Sequence, residues 1–234
     1  MEAVRINKYL SEAGVCSRRG ADRLIEEGRV SVNGNHAFLG SVVNDGDEVR
    51  VDGNLVKALT KKVLIAFNKP RGIVCTTADP KSKDMNIIEY INYPERIFPV
   101  GRLDKDSEGL ILLSNNGDLS NKIMKARNFH EKEYEVEIDK PFDDEFLKKM
   151  SEGVPILDTI TRKCTLKRTG KTSFNIILTQ GLNRQIRRMC ECFGYKVVRL
   201  RRIRIMNIRL GNLKSGTYRN ITEKEYEELI KGLR

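Results

Sequence analysis

At 234 residues the chain has room for one large domain, or for a large domain and a small one. A formal charge of +11 and a pI near 9.5 favour a polyanionic partner. With no long apolar span, signal-peptide pattern or lipidation motif, that partner is expected to be nucleic acid rather than a membrane. The charge is unevenly spread. Residues 1–57 hold eight Lys/Arg against nine Asp/Glu, a net of −1, while the remainder holds 35 against 23, a net of +12. The densest basic stretch, Gly181 to Arg209, has nine Lys/Arg and one Glu. The cysteines (Cys16, Cys75, Cys164, Cys190 and Cys192) are odd in number and scattered, and His36 and His130 are the only histidines. No disulfide framework or zinc spacing follows, which suits free thiols in a reducing cytoplasm.

Taken in order, Ile6, Tyr9, Leu10 and Ala13 recur at helical spacing over 5–13, and Gly14 is a natural stop. Ser17 is placed to cap a second helix from Arg18 to about Glu27, with Ala21, Leu24 and Ile25 inward and Gly28 ending it. Val30-Ser31-Val32 then meets Asn33-Gly34, a strong hairpin signal, and Glu48 to Val51 alternates as a further strand. Arg5 and Lys8 share one helical face, as do Arg19 and Arg23. These cations either form a patch for a phosphate backbone or pair with Glu12, Asp22, Glu26 and Glu27.

Ala58 to Lys62 reads as a short linker that permits limited domain motion. A strand over 63–67 follows, then the Lys69-Pro70-Arg71-Gly72 turn. The next feature is the loop Gly101-Arg102-Leu103-Asp104-Lys105-Asp106-Ser107-Glu108-Gly109, leading into Leu110-Ile111-Leu112-Leu113. The short continuous apolar run suits a strand buried on both faces. Pro99 is not expected inside a strand, so the charged loop stands at the mouth of a core strand, where chemistry tends to sit. Asp104, between Arg102 and Lys105, is expected to be ionised, and a carboxylate is a possible covalent nucleophile. Taken alone, the loop also reads as a solvated turn.

Asn115-Asn116-Gly117 turns the chain, and Asp118 is placed to cap a helix to about Ala126. Glu131 to Ile138 alternates, with Tyr134, Val136 and Ile138 on one face. Asp143 or Asp144 is placed to cap a helix through Met150, and strands follow near 163–168 and 172–179. A helix is predicted from about Arg184 to Phe193, with Ile186, Met189, Cys190 and Phe193 apolar, Asn183 as cap and Gly194 at its end. Arg184, Arg187 and Arg188 crowd its first turns, where each opposes the helix dipole by roughly 0.3–1 kcal/mol if exposed. That cost points to an anion nearby. Lys196 to Arg202 and Arg204 to Leu210 read as two more strands, and Thr222 caps a last helix with Tyr226, Leu229 and Ile230 inward.

The loop from Gly101 to Leu110 resembles the catalytic loop of the RsuA/RluA class of RNA pseudouridine synthases. The flanking sequence resembles most the RsuA/RluB/RluE/RluF branch, and within it the enzymes of large-subunit ribosomal RNA. Three further stretches carry the resemblance: Asn68-Lys69-Pro70-Arg71-Gly72-Ile73-Val74, His130-Glu131-Lys132-Glu133-Tyr134-Glu135-Val136, and Gly181 to Met189. The N-terminal segment resembles an S4 RNA-binding domain. The resemblance spans nearly the whole chain and implies an α+β protein. A small S4 domain over 1–57, with two helices and short strands, would precede a linker over 58–62. A larger catalytic domain over 63–234 would hold a mixed, mainly antiparallel sheet.

It also implies an activity, the isomerisation of uridine to pseudouridine, in which uracil leaves ribose at N1 and rejoins it through C5. No redox change or added atom is needed, and the resemblance implies no cofactor and no metal. Asp104 would be the essential residue and nucleophile. Tyr134 would stack against the target uracil, and Arg187 would pair with Asp104, orienting it and keeping it ionised. The target base would be flipped out of its stack. RNA contacts are expected from Arg102, Leu103 and Lys105, from Arg184, Gln185, Ile186 and Arg188, and from Arg5, Lys8, Arg18, Arg19 and Arg23 of the S4 segment. The expected substrate is 23S ribosomal RNA, with a tRNA as a second target and 16S ribosomal RNA as the alternative; the chain is expected to act as a monomer. A reading of another class, a non-catalytic S4-type ribosome assembly factor, explains the charge equally well but not the conjunction of Asp104, Tyr134 and Arg187.

Overall fold

A computed structural model describes residues 3–57, 62–76, 83–125 and 128–233. The chain divides into two compact units. The first comprises Met1–Val63 with Pro94–Arg96 and Asn115–Gly117; the second comprises Leu64–Tyr93, Ile97–Ser114 and Asp118–Arg234. Most of the expected linker, residues 58–61, lies outside the described residues, as does the expected helix end at Ala126.

In the first unit, β1 (Val4–Arg5) leads into α1 (Ile6–Glu12), and α2 (Arg18–Glu26) follows. Ser17 caps α2 as expected, its hydroxyl accepting from the Gly20 N–H at 3.0 Å. Then come β2 (Val30–Val32), β3 (Asn35–His36), β4 (Val42–Val43), β5 (Val49–Val51) and β6 (Asn54–Leu55). The β2–β3 turn has Asn33 and Gly34 at φ 52° and 82°, the paired positive angles of a tight hairpin turn. One sheet runs β3-β2-β5-β6, and β1 pairs separately with β4. Ile6, Leu10, Ala21, Ile25, Val30, Val43 and Val49 fill the space between helices and strands. The helical and alternating apolar positions read from the sequence thus meet in one small core.

The second unit contains β7 (Leu64–Lys69), α3 (Ile87–Ile91), β8 (Phe98–Val100), β9 (Glu108–Ser114) and α4, which begins at Gly117 and ends at Met124. After these come β10 (Lys132–Ile138), α5 (Asp144–Glu152), β11 (Pro155–Ile156), β12 (Thr159–Ile160), β13 (Thr165–Arg168) and β14 (Ser173–Leu178). The last elements are α6 (Gln185–Glu191), β15 (Val197–Ile205), β16 (Ile208–Arg209), β17 (Tyr218–Asn220) and α7 (Glu223–Lys231). Its main sheet runs β13-β14-β10-β15-β9-β7-β17, with β16 paired to β15 and β8 to β9. All pairings in it are antiparallel except β15 with β9.

One apolar core gathers Phe142, Phe146 and Phe174 with Met189 and Cys190 of α6. Another gathers Leu110 and Leu112 of β9 with Leu119, Ile123, Ile205 and Leu229. As expected of a strand covered on both faces, β9 is buried from Gly109 to Ser114.

Several expectations are corrected. Pro99 does lie in a strand, β8, which pairs with β9 alone among the described strands; the missing N–H is harmless on such an edge. The two strands expected over 196–202 and 204–210 are one long strand, β15, followed by a turn at Met206 (φ 51°) and the short β16. Asn183 does not cap α6. Arg184 takes that position in the left-handed conformation with no side-chain cap, and Asn183 instead accepts from Arg188. Asp118 lies within the first turn of α4 rather than before it.

The parallel contact of β9 with β15 is tight at one residue. Gly109 has φ +102°, and a Cβ there would overlap the Arg202 carbonyl oxygen and come within 2.8 Å of the Arg202 nitrogen. Gly109→Ala is therefore expected to lower unfolding free energy by at least about 2 kcal/mol, combining backbone strain and overpacking. Urea denaturation of the variant beside the wild type checks this.

Candidate active site

The loop between β8 and β9 carries Asp104 to the edge of a cleft of about 410 Å³. This volume is in the range of sites that enclose a small molecule. Its walls include Arg102, Leu103 and Asp104 of the loop, Lys132 and Tyr134 of β10, Arg184 and Gln185 at the start of α6, and Arg202 of β15. A more open depression of about 620 Å³, lined by Arg71, Gly72, Cys75 and Lys105, shares Asp104 and Arg184 with it. The Asp104 side chain is 34% exposed, so a ligand can reach it.

The loop is fixed from below. Ser107 donates its N–H to the Asp104 carbonyl at 3.0 Å, Lys105 carries its carbonyl to the Gly72 N–H at 2.7 Å, and the Leu103 N–H meets the Cys75 sulfur at 3.4 Å. Lys69 is fully buried beneath the neighbouring turn, its ammonium donating to the Pro70 and Ile73 carbonyls at 2.9 and 2.8 Å. Burial holds its pKa below the usual lysine value.

Two arginines of the α6 segment close onto the loop. The resemblance implied an Arg187–Asp104 pair; the carboxylate that faces Arg187 is instead Asp106, at 3.3 Å. Arg187 is buried and anchored low in the site. It donates to the carbonyls of Val197 at 3.1 Å and Asp106 at 3.2 Å, and to the Ser107 hydroxyl at 3.4 Å. Two of those anchors, Asp106 and Ser107, lie after Asp104 in the loop, which is why the pair forms with Asp106. Arg184 reaches both acids. It donates to the two Asp106 oxygens at 3.1 and 3.3 Å, and its Nη1 lies 3.9 Å from Asp104. Burial works against ionisation of Asp106, but the Arg184 hydrogen bond and the Arg187 and Arg184 charges outweigh it and lower its pKa.

Tyr134 stands opposite Arg202 in the β10–β15 register. The Arg202 guanidinium carbon lies 5.9 Å from the Tyr134 ring centroid, and Nη1 is 3.5 Å from the phenol oxygen. Lys132, two residues before Tyr134 on the same strand, also lines the cleft. Burial first, and then the Arg202 charge, push its pKa down to about 8.

The expected RNA contacts fall into groups. Arg102 is exposed, Leu103 is buried against Cys75, and Lys105 is held by Asp84 at 2.7 Å. Gln185 and Ile186 are buried, Gln185 bracing the loop by accepting the Leu182 N–H at 3.1 Å. Arg188 lies on Asn183. In the first unit Arg5, Arg18, Arg19 and Arg23 are exposed and make no ion pair among the described residues, whereas Lys8 lies 3.6 Å from Glu12.

Residues 63–192 match the family model of RNA pseudouridylate synthases, and residues 4–49 match that of the S4 domain. The chain belongs to the RNA pseudouridine synthase family. This synthase is 54% identical over 231 residues to the dual-specificity RNA pseudouridine synthase RluF of Escherichia coli (strain K12), covering 98% of this chain and 79% of that one. It is 35% identical over 205 residues to the ribosomal large subunit pseudouridine synthase B of Bacillus subtilis (strain 168), covering 85% and 84% of the two chains. Among solved structures, a crystal structure of a pseudouridylate synthase superposes with a TM-score of 0.71 at 28% identity, over 97% of this chain and 99% of that one.

The protein is thus an enzyme of RNA modification with an S4 domain. Among its described residues no His/Cys/Asp/Glu group is placed to hold a metal ion, and no helix is long and apolar enough to cross a membrane.

Sequence reasoning missed Asp106, Lys132 and Arg202 of the synthase. The place of Lys132 two residues before Tyr134 in an alternating strand was a usable signal. Nothing local marked Asp106 over Asp104 as the Arg187 partner. Asp106→Asn leaves buried Arg187 without its carboxylate and is expected to cost about 1–3 kcal/mol, discounted because Asp106 is itself partly exposed. Because the Asp106 pKa is lowered from 3.8, its stabilisation is present above that value and lost as pH falls through the folded one. Denaturation curves of wild type and variant should therefore converge in acid.

Proposed function

We propose that this synthase isomerises a specific uridine of 23S ribosomal RNA, and a uridine of a tRNA as its second target, with Asp104 as the nucleophile. The observation that carries the reading is the position of Asp104. It is accessible at the mouth of a nucleoside-sized cleft, while its neighbour Asp106 takes up Arg187 and most of Arg184. A reacting carboxylate must be ionised yet not locked in an ion pair, and the second acid makes that division possible. Arg184, 3.9 Å away, places a positive charge beside it without enclosing it.

Tyr134 forms one wall and would stack on the uracil, its ring offering an apolar face and its hydroxyl a polar handle. A base paired in a helix cannot reach this cleft, so the uridine is extruded, at a cost of a few kcal/mol. Arg102 fills or braces the vacated stack. Phosphates are held by Lys105, Arg184 and Arg188, with Leu103, Gln185 and Ile186 shaping the wall beside the nucleotide. The S4 domain, residues 1–57, adds Arg5, Lys8, Arg18, Arg19 and Arg23; residues 58–62 are the linker and 63–234 the catalytic domain. The large-subunit target rests on the name of the synthase B relative, and the second target on the dual specificity stated for RluF. The enzyme acts as a cytoplasmic monomer.

Asp104→Asn is expected to abolish pseudouridine formation while RNA affinity stays within about twofold; isomerisation by the variant would remove Asp104 as nucleophile. Pseudouridine mapping in cells lacking the protein identifies the site among 23S, 16S and transfer RNA. RNA binding should weaken steeply with salt, log K falling by about 0.7–0.9 per log unit of salt for each phosphate neutralised. A flat titration would contradict the assigned cations.

A further inference from the structure

The floor of the cleft carries Lys132 and Arg202, and neither has an ion-pair partner among the described residues. Arg202 is 3% exposed, and every hydrogen bond it makes is to a neutral acceptor. Nε donates to the Leu110 carbonyl at 2.7 Å, and Nη1 reaches the Arg102 carbonyl and the Tyr134 hydroxyl, both at 3.5 Å. Its Nη2 is buried without a partner. The side chain of Lys132, on neighbouring β10, makes no hydrogen bond or ion pair among the described residues.

Carboxylates are close in sequence but turned away. Glu131 and Glu133, flanking Lys132, both lie on Arg204, at 3.0 and 2.8 Å, and Glu135 lies on Arg201 at 3.5 Å. The strand pleat sends these acids to the opposite face of the sheet. Two neighbouring cations, sunk in a cleft and left without an anion, are costly in the free protein. A ligand that brings negative charge to that depth relieves the cost.

The depth decides which part of the ligand this is. Arg184 is exposed at the rim, where a phosphate can approach it, whereas Lys132 and Arg202 flank Tyr134, where the proposed reading puts the base. Breaking the N1–C1′ bond leaves its electron pair on the uracil ring, spread over the O2 and O4 carbonyl oxygens. A ring electron pair at C5 then forms the C5–C1′ bond, C5 loses its proton and N1 gains one, so nothing is added or lost overall.

Resting on that reading of the cleft, we propose that Lys132 is a further catalytic residue, its ammonium binding a carbonyl oxygen of the target uracil and stabilising the negative charge the ring carries while detached from ribose. Arg202 stands behind it as a positioning residue, holding the Tyr134 hydroxyl and the Arg102 carbonyl. Burial and the Arg202 charge bring the lysine's pKa down to about 8, so it is protonated at neutral pH. Among the described residues, the other charged and titratable groups around this cleft are Arg102, Asp104, Lys125, His130, Tyr134, Arg184 and Arg202.

The test compares Lys132→Met, Lys132→Arg and Asp104→Asn on saturating RNA in single turnover. Lys132→Met is expected to slow isomerisation by about 10²-fold, the scale of losing one donor to a developing oxyanion, with RNA affinity within about twofold of wild type. The wild-type kcat/KM should fall above about pH 8; that limb should vanish in Lys132→Met and shift upward in Lys132→Arg, which should regain most of the rate. Removing a charge buried at a cost should also leave Lys132→Met melting no lower than wild type at pH 7. If Met disrupts folding, Lys132→Gln replaces it.

An unchanged turnover rate in the neutral variant, or a loss confined to RNA affinity, overturns the proposal. An inactive Asp104→Asn beside an unaffected Lys132→Met removes only the lysine; an active Asp104→Asn removes the reading of the cleft itself.

Discussion

The catalytic unit depends on one strand fitting between two others. In β15, Arg202 is in register with Tyr134 of β10 on one side and with Gly109 of β9 on the other. The chain joins β9 in parallel only because Gly109 has no side chain to fend off the Arg202 backbone. That contact sets the end of the Asp104 loop and Tyr134 on opposite sides of Arg202. A buried guanidinium then ties both sides together, bonding Leu110 and Arg102 on one and Tyr134 on the other. Geometry at the reacting centre is therefore inherited from sheet pairing rather than from the loop alone.

The second constraint is the division of labour between two carboxylates. Arg187 is buried and needs a negative partner, since an isolated buried cation is expensive. If Asp104 alone supplied it, that carboxylate would be drawn down into the protein. Asp106 supplies it instead, and Arg184 bridges from Asp106 toward Asp104. The result is an accessible acid beside two arginines, on a loop whose backbone is pinned at Leu103, Lys105 and Ser107.

The same sheet carries two opposed surfaces. On one, Arg204 and Arg201 of β15 are neutralised by Glu133 and Glu135 of β10 and by Glu131 just before it. On the other, Arg202 and Lys132 face the cleft unneutralised. Arg202 and Arg204 would share a face in a regular strand. They do not because the register slips at Ile203, where Glu133 pairs with Arg204 but Tyr134 with Arg202. One extra residue separates a structural ion-pair ladder from a charged active-site floor.

How much of this could be read beforehand follows the range of each interaction. Alternation and helical spacing marked α2, β9, β10 and β14 closely, and the Ser17 cap and Asn33-Gly34 turn were readable, because a few neighbouring residues set those features. The four motifs located Asp104, Tyr134 and the α6 arginines for the same reason. The Pro99 strand, the unbroken β15 and the left-handed Arg184 were misjudged, since sheet edges, bulges and a helix docked on a loop depend on partners far along the chain. By itself the sequence determined the family, the S4-plus-catalytic organisation and the residue types at the cleft. Only the tertiary structure decided that Arg187 meets Asp106, and that Lys132 and Arg202 lie side by side without an anion. Which charges face each other is a matter of strand register and pleat, and register is set across the sheet, not along the chain.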